Sequence, residues 1–250
     1  MKAETKDRIF EIVLNCVNRT ILRISGDATF RPFHEALLSR ELITAAAFER
    51  SFSTSFGQGP VEEISQIVAQ DTGAFAERQK ETMVNVFKGS IDEIDRIMSA
   101  LRSGNRSPNW QSEVKTVSSF TRGDTEVRRV LSDLYVRRDD EEIFISIRTV
   151  KPNLDQTEIA KKDMLLLMAN NPKCVTYFGL FYNPGGPRRQ DYNWSIPSKI
   201  FDMKTDECVL IGEDYWDTIG GKGTYPSLLD VFKDVGFATK ARLKQMSEEA

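Results

Sequence analysis

The sequence predicts an α/β protein, a mixed β-sheet core flanked by helices with a helical N-terminal portion. Three observations predict it. Apolar residues recur at every third and fourth position through the first hundred residues, a strand-turn-strand pattern occupies Leu131 to Val150, and β-branched or aromatic runs bounded by turn residues follow at 175–182 and 208–212.

Taken in order, Ile9, Ile12, Val13 and Val17 mark a first helix, which Ser25-Gly26-Asp27 and Pro32 separate from a second at Phe33 to Phe48. Val61, Ile64, Ile67 and Val68 mark another. Ser90 to Leu101 carries Ile91, Ile94, Ile97, Met98 and Leu101 on one face before Ser103-Gly104-Asn105 stops it, so the region predicts four or five helices. Ser103 to Pro108 is too short a boundary to demand independent domains; residues 1–105 therefore pack as a helical portion on a core of residues 106–250, in one compact unit. Beyond Asn109 the hairpin strands Leu134-Tyr135-Val136 and Ile143-Phe144-Ile145 are followed by Pro152-Asn153, which ends the second strand. A helix over Thr157 to Met168 comes next, with Asp155 and Glu158 in its first turn as the helix dipole prefers. Val175 to Tyr182 and Cys208 to Gly212 are the further strands, and Ser227 to Phe237 is helical.

Composition excludes several classes. The chain has 250 residues, 40% hydrophobic, with 34 Lys+Arg against 37 Asp+Glu, which is enough apolar content for a buried core and excludes disorder. Its apolar runs are too short to cross a bilayer, and Met1 to Arg8 lacks a signal-peptide stretch, which predicts a cytoplasmic protein with no membrane role. Cys16, Cys174 and Cys208 are odd in number and far apart, fitting neither a disulfide framework nor a metal knuckle. A single histidine, His34, removes most zinc hydrolases and His-dependent triads, and it reads as a helix-surface or capping residue. The net charge of −3 argues against nonspecific coating of nucleic acid but allows DNA contact through a local basic surface.

The hairpin carries the chemistry. With Asp139-Asp140 as its turn, Arg138 pairs with Glu141 and Asp133 falls opposite Ser146. The side-chain period of two then puts Asp133, Tyr135 and Arg137 on one face with Glu142, Phe144, Ser146 and Arg148, while Leu134, Val136, Ile143, Ile145 and Ile147 form the core face. The polar face is thus expected on the side that need not be buried. An Asp facing a polar-x-basic triplet is an arrangement that nucleases use to hold Mg²⁺ beside a phosphodiester, since a hard cation takes carboxylate oxygens plus a backbone carbonyl, here that of Ile147. The same face also fits a plain solvated hairpin, and spacing does not decide between them.

The string from Ile145 through Ser146-Ile147-Arg148 and Lys151 to Glu158 and Met164 resembles the core of type II restriction endonucleases of the TdeIII/MjaII kind, a branch of the PD-(D/E)XK nucleases. Ser51 to Gly57, Tyr177 to Pro184, Tyr192 to Ser195, and Ile200 to Met203 through Asp214-Tyr215-Trp216-Asp217 to Tyr225 agree with it, so the resemblance spans about residues 30 to 235. It implies a restriction-endonuclease-like core and Mg²⁺-dependent cleavage of double-stranded DNA at a short palindrome. It also implies a homodimer, each of whose two sites cuts one strand, and a cognate DNA methyltransferase in the same system.

The pattern departs at its centre. The superfamily carries Asp/Glu-x-Lys where this chain has Ser146-Ile147-Arg148, and a Ser supplies no charge for Mg²⁺. Relatives with Ser on the strand are similar in carrying a Glu on the following helix. The resemblance therefore implies Asp133 and Glu158 as metal acids with the Ile147 carbonyl, Glu62 on the N-terminal helices as a further acid, and Arg148 or Lys151 orienting water. The alternative is a catalytically degenerate nuclease fold that binds DNA without cutting.

The turn from Asn183 to Asn193 is rich in bidentate hydrogen-bonding side chains. Arg188, Arg189, Asp191 and Asn193 are candidates for reading bases, and two arginines beside an Asp favour a G·C-containing site. Lys199 and Lys173 are candidates for phosphate contacts; a loop that only touches phosphates is an equally good reading. The aromatic residues Tyr177, Phe178, Phe181, Tyr182, Tyr192 and Trp194 read as core, and Gly220 to Thr224 lacks the spacing of a phosphate loop.

Overall fold

The structure, a computed structural model, describes residues 1–26 and 29–248. Its elements in chain order are α1 (Ala3–Ser25), α2 (Pro32–Leu37), α3 (Arg40–Gly57), α4 (Pro60–Asp71), β1 (Phe75–Phe87), α5 (Lys88–Ser103), α6 (Trp110–Val117), β2 (Thr125–Arg138), β3 (Glu141–Arg148), α7 (Leu154–Asn170), β4 (Val175–Leu180), β5 (Val209–Ile211), α8 (Glu213–Gly220) and α9 (Thr224–Glu248). The expected break at Ser25-Gly26-Asp27 follows α1 directly, with Asp27 itself outside the described residues. None of the described helices is long and apolar enough to cross a membrane.

The five strands lie in the order β1-β2-β3-β4-β5, antiparallel from β1 to β3 and parallel from β3 to β5. The mixed sheet expected from the sequence is therefore present. The hairpin register is also as expected, with Arg138 opposite Glu141 and Leu134 opposite Ile145. A helix joins the parallel pair β3 and β4, and α7 forms where it does because Asn153 caps it. The Asn153 side chain accepts from the Gln156 N–H at 2.8 Å, and Gln156 Oε1 accepts from the Asn153 N–H in return.

Two expectations need correction. Residues 75–87 are not helical: β1 pairs with β2 from Phe75 to Phe87 except at Gln79 and forms one edge of the sheet, so residues 1–105 contribute a strand to the same sheet as residues 106–250. Its inward apolar residues are few (Ala76, Val84, Val86) and the rest are mostly charged or polar, which suits an edge strand and hides it from periodicity. The polar face of the hairpin, secondly, is covered. Tyr135 and Phe144 are buried with α5, α6 and α7 on that side, while Leu134, Val136, Ile143, Ile145 and Ile147 pack against α1, α4, α8 and α9 on the other. The sheet is thus the middle of three layers, because α7 must lie on it to connect two parallel neighbours.

Candidate active site

The β2–β3 ladder ends at Leu134 and Ile145, and one step beyond it a side chain takes over from the main chain. Asp133 Oδ2 accepts the Ile147 N–H at 2.8 Å, the Arg148 Nη1–H at 2.8 Å and the Ser146 hydroxyl at 3.4 Å. Arg148 Nη1 also donates to the Ile147 carbonyl at 3.0 Å. One guanidinium therefore stands between a carboxylate and a carbonyl. The pair is neither open nor sealed, with Asp133 13% and Arg148 20% exposed, and Arg148 Nε is buried without a partner.

Two further carboxylates share this environment. Glu62, in the first turn of α4, is raised above the ordinary carboxylate range by burial and by the Asp133 charge, against the pull of a hydrogen bond from Gln79 Nε2 to its Oε2 at 2.8 Å and of Arg78 and Arg148. Gln79 takes a left-handed backbone (φ 52°) at the β1 position facing Asp133, where the pairs Arg78–Leu134 and Lys80–Ser132 flank an interruption in the ladder. Asp163, on α7, is pushed up to about 6 by burial; Arg148 and Lys162 draw it back and Asp133 adds to the rise. Its helix neighbours Ala160, Met164 and Leu167 are buried, so this acid lies on an otherwise apolar face.

The sequence-predicted residues divide. Asp133, Ser146, Ile147 and Arg148 come together, and Glu62 joins them electrostatically. Glu158 is engaged elsewhere: it accepts from Arg102 of α5 at 2.6 Å, and the same guanidinium reaches Asp155 at 3.2 Å. The other Glu158 oxygen, Oε1, is buried without a hydrogen-bond partner, and the acid of α7 on which the Arg148 charge acts is Asp163, five residues further along the helix. Lys151 lies over the Trp194 ring at 5.6 Å. Asp163 was missed by sequence reading, and its signal was an acid inside the buried stripe of α7.

The donors gathered here are carboxylate and carbonyl oxygens, with no thiol or imidazole among them, a set that fits a hard cation such as Mg²⁺. Among the described residues no three acidic, His or Cys side chains converge tightly enough to cage an ion; the lone His34 is exposed on α2.

The loop after β4 is held against this strand end, since Tyr192 donates to the Val150 carbonyl at 3.0 Å and Trp194 Nε1 to that of Pro152 at 3.1 Å. Within it Arg188 and Asp191 pair at 2.8 Å, which lowers the Asp191 carboxyl below its ordinary value. Arg189 donates to the carbonyls of Met203 and Asp206 at 2.9 and 2.5 Å, so its fork serves the loop's own architecture. Asn193, Lys199 and Lys173 are exposed or partly so.

A model of the HinfI type II restriction endonuclease family matches residues 1–236. HgiBI of Herpetosiphon aurantiacus, a type II restriction enzyme, is 29% identical over 230 residues, covering 89% of this chain and 83% of its own. HgiCII of the same organism, also a type II restriction enzyme, is 29% identical over 235 residues, 91% of this chain and 85% of its own. The type II restriction enzyme MjaII of Methanocaldococcus jannaschii is 28% identical over 239 residues, 82% of this chain and 62% of its own.

Proposed function

From the premise that the chain belongs to the HinfI family of type II restriction endonucleases, we infer that it is a Mg²⁺-dependent site-specific deoxyribonuclease that cuts both strands of DNA at a short palindromic site containing G·C pairs. The observation that carries the reading is Asp133 set against the Ile147 main chain and Arg148, with two carboxylates of raised pKa beside it. Mg²⁺ bound to these oxygens would supply a water of lowered pKa and offset the charge of the phosphate.

The chain's own groups have distinct tasks. Asp133 and the Ile147 carbonyl offer ligand oxygens already fixed by the strand, with Asp163 and Glu62 as the supporting acids. Arg148 stays protonated, so its part is to exchange Asp133 for the phosphate and steady the charge of the pentavalent state. Asp163, ionised above about pH 6, can accept the proton of the attacking water. In the 183–193 loop Arg188 would give up Asp191 for a guanine edge, with Asn193 beside it and Lys199 on a phosphate. A palindromic site cut in both strands calls for a homodimer, and a cell carrying the enzyme in its cytoplasm needs a cognate methyltransferase to protect its own sites.

Incubating the protein with plasmid and Mg²⁺ tests the reading. Discrete fragments are expected from the native chain and none from Asp133→Ala, with a cooperative melt of the variant showing that it is folded at the assay temperature. A shifted but intact plasmid would instead favour a DNA-binding protein without turnover, the reading that the Ser146 and Arg148 replacements motivate.

A further inference from the structure

We propose that the cavity between α1, α3 and α4 is a second phosphate site, which grips the DNA backbone beside the phosphodiester to be cut; it rests on the reading just given and deepens it. The cavity measures 480 Å³ and is lined by Arg19, Arg23 and Arg78 against one carboxylate, Glu63. That surplus of positive charge is local in a chain of net charge −3, and it is where a polyanion would be drawn.

The arginines are set in three ways. Arg23 is braced by the hydroxyls of Ser51 and Ser55 on α3, at 2.9 and 2.8 Å, which holds its fork in place. Arg78 stands 3.9 Å from Glu63, too far for a strong pair. Arg19 is exposed and makes no ion pair among the described residues.

A second feature points the same way. The twelve-residue helix α4 opens at the cavity wall with Gly59 as its N-cap and Pro60 after it, and no side chain caps its first N–H groups. Pro60 carries no N–H and the Glu63 N–H bonds to the Gly59 carbonyl, so what this terminus adds at the cavity wall is the positive end of the helix dipole. The volume is room for roughly a dozen or more waters, so it suits a phosphodiester with its sugar better than a small ion.

Position selects DNA as the source of the phosphate. Gln58, Gly59 and Arg78 also line an adjoining 640 Å³ cleft in which Glu62, Gln79 and Glu77 stand, the last paired with Lys80 at 2.9 Å. The charges of Arg78, Asp133 and Arg148 all act on Glu62, so the cavity's cation and the cutting site share one neighbour. A strand whose scissile phosphate lies at Asp133 and Arg148 can continue along this cleft into the arginines.

Anisotropy of a labelled mixed-sequence duplex, with Ca²⁺ in place of Mg²⁺ and KCl varied, tests this on the native chain and on Arg19→Gln and Arg78→Gln. Each lost phosphate contact should flatten the slope of log affinity against log salt by about 0.9 and weaken binding several-fold at moderate salt. In cleavage assays KM should rise with kcat little changed. Arg19→Gln removes an exposed group without a described ion pair, so its fold, followed by melting, is expected to hold.

Variants that keep the native slope and affinity while the native chain cuts plasmid would overturn this inference alone. A native chain that neither binds duplex nor cuts would overturn it together with the function above. Heat of inorganic phosphate binding that vanishes in Arg19→Gln, with an unchanged DNA slope, would mark a site for free anions and overturn the assignment to DNA.

Discussion

Two of the ion pairs on the α5–α7 side of the sheet are built to opposite ends. Lys161 and Glu113 join α7 to α6 at 2.5 Å with both side chains 0% exposed. Around them Lys161 donates to the Ile200 carbonyl and lies 4.9 Å from the centre of the Phe201 ring, Glu113 Oε1 accepts the Asn109 N–H and is approached by Arg106 at 3.9 Å, and Glu113 Oε2 has the Lys161 ammonium and no other partner. Arg148 and Asp133 are partly open, leave Arg148 Nε without a partner, and have two more carboxylates within electrostatic reach. A pair sealed from solvent, with no path for a ligand, serves architecture. A partly open pair beside acids of raised pKa holds capacity for one.

The comparison breaks or sharpens under substitution. The largest effect is expected from Lys161→Ala, which leaves the Glu113 carboxylate buried without its cation and should cost about 3–5 kcal/mol, read from urea unfolding. Arg148→Ala should change stability by no more than about 1 kcal/mol and abolish cleavage; equal destabilisation by the two would erase the distinction.

Next comes the choice between acids on α7. Asp163→Ala is expected to slow cleavage about a hundredfold and Glu158→Ala only a few-fold, since Glu158 is committed to Arg102, and the reverse ranking in single-turnover rates would restore Glu158 to the site.

A stability profile adds the sign. Asp163 binds its proton at about 6 in the folded chain, above its unfolded value of 3.8, so its contribution is complete below the unfolded value and lost as pH rises through 6. Asp163→Asn should therefore be more stable than the native chain by up to about 2 kcal/mol near pH 8 and equal to it near pH 4, measured in EDTA. The smallest effect belongs to Gln79→Gly: relief of the left-handed backbone offsets up to about 1 kcal/mol of stability, while the loss of its bond to Glu62 lowers the cleavage rate about threefold.

Much of this was legible in the sequence because it follows from period and turn geometry. The two-residue turn at Asp139-Asp140 fixed the register, and the register placed Asp133 across from Ser146. The exposure of that face was misjudged because Tyr135 and Phe144 interrupt the polar residues, and whether aromatics on a mixed face are covered depends on where the crossover helix lands. β1 was illegible for a related reason: an edge strand needs few inward apolar residues, and Gln79 adds a conformation that no side chain announces. Glu158 drew attention by its closeness to the strand in sequence, yet the rotation of α7 decides which acid returns to the sheet. In the 183–193 loop, that Arg189 spends its fork on main-chain carbonyls is settled by a segment about fifteen residues further on.

The main chain of Ile147 contributes a donor to Asp133 and an acceptor to Arg148, and no substitution short of proline removes either group. That half of the apparatus is independent of spelling. The letters on both sides of it, here a serine and an arginine, can therefore vary while the scaffold keeps an aspartate aimed at the same spot. Searches for such enzymes by short consensus strings will miss members that a search for an aspartate saturating the end of a frayed hairpin would find.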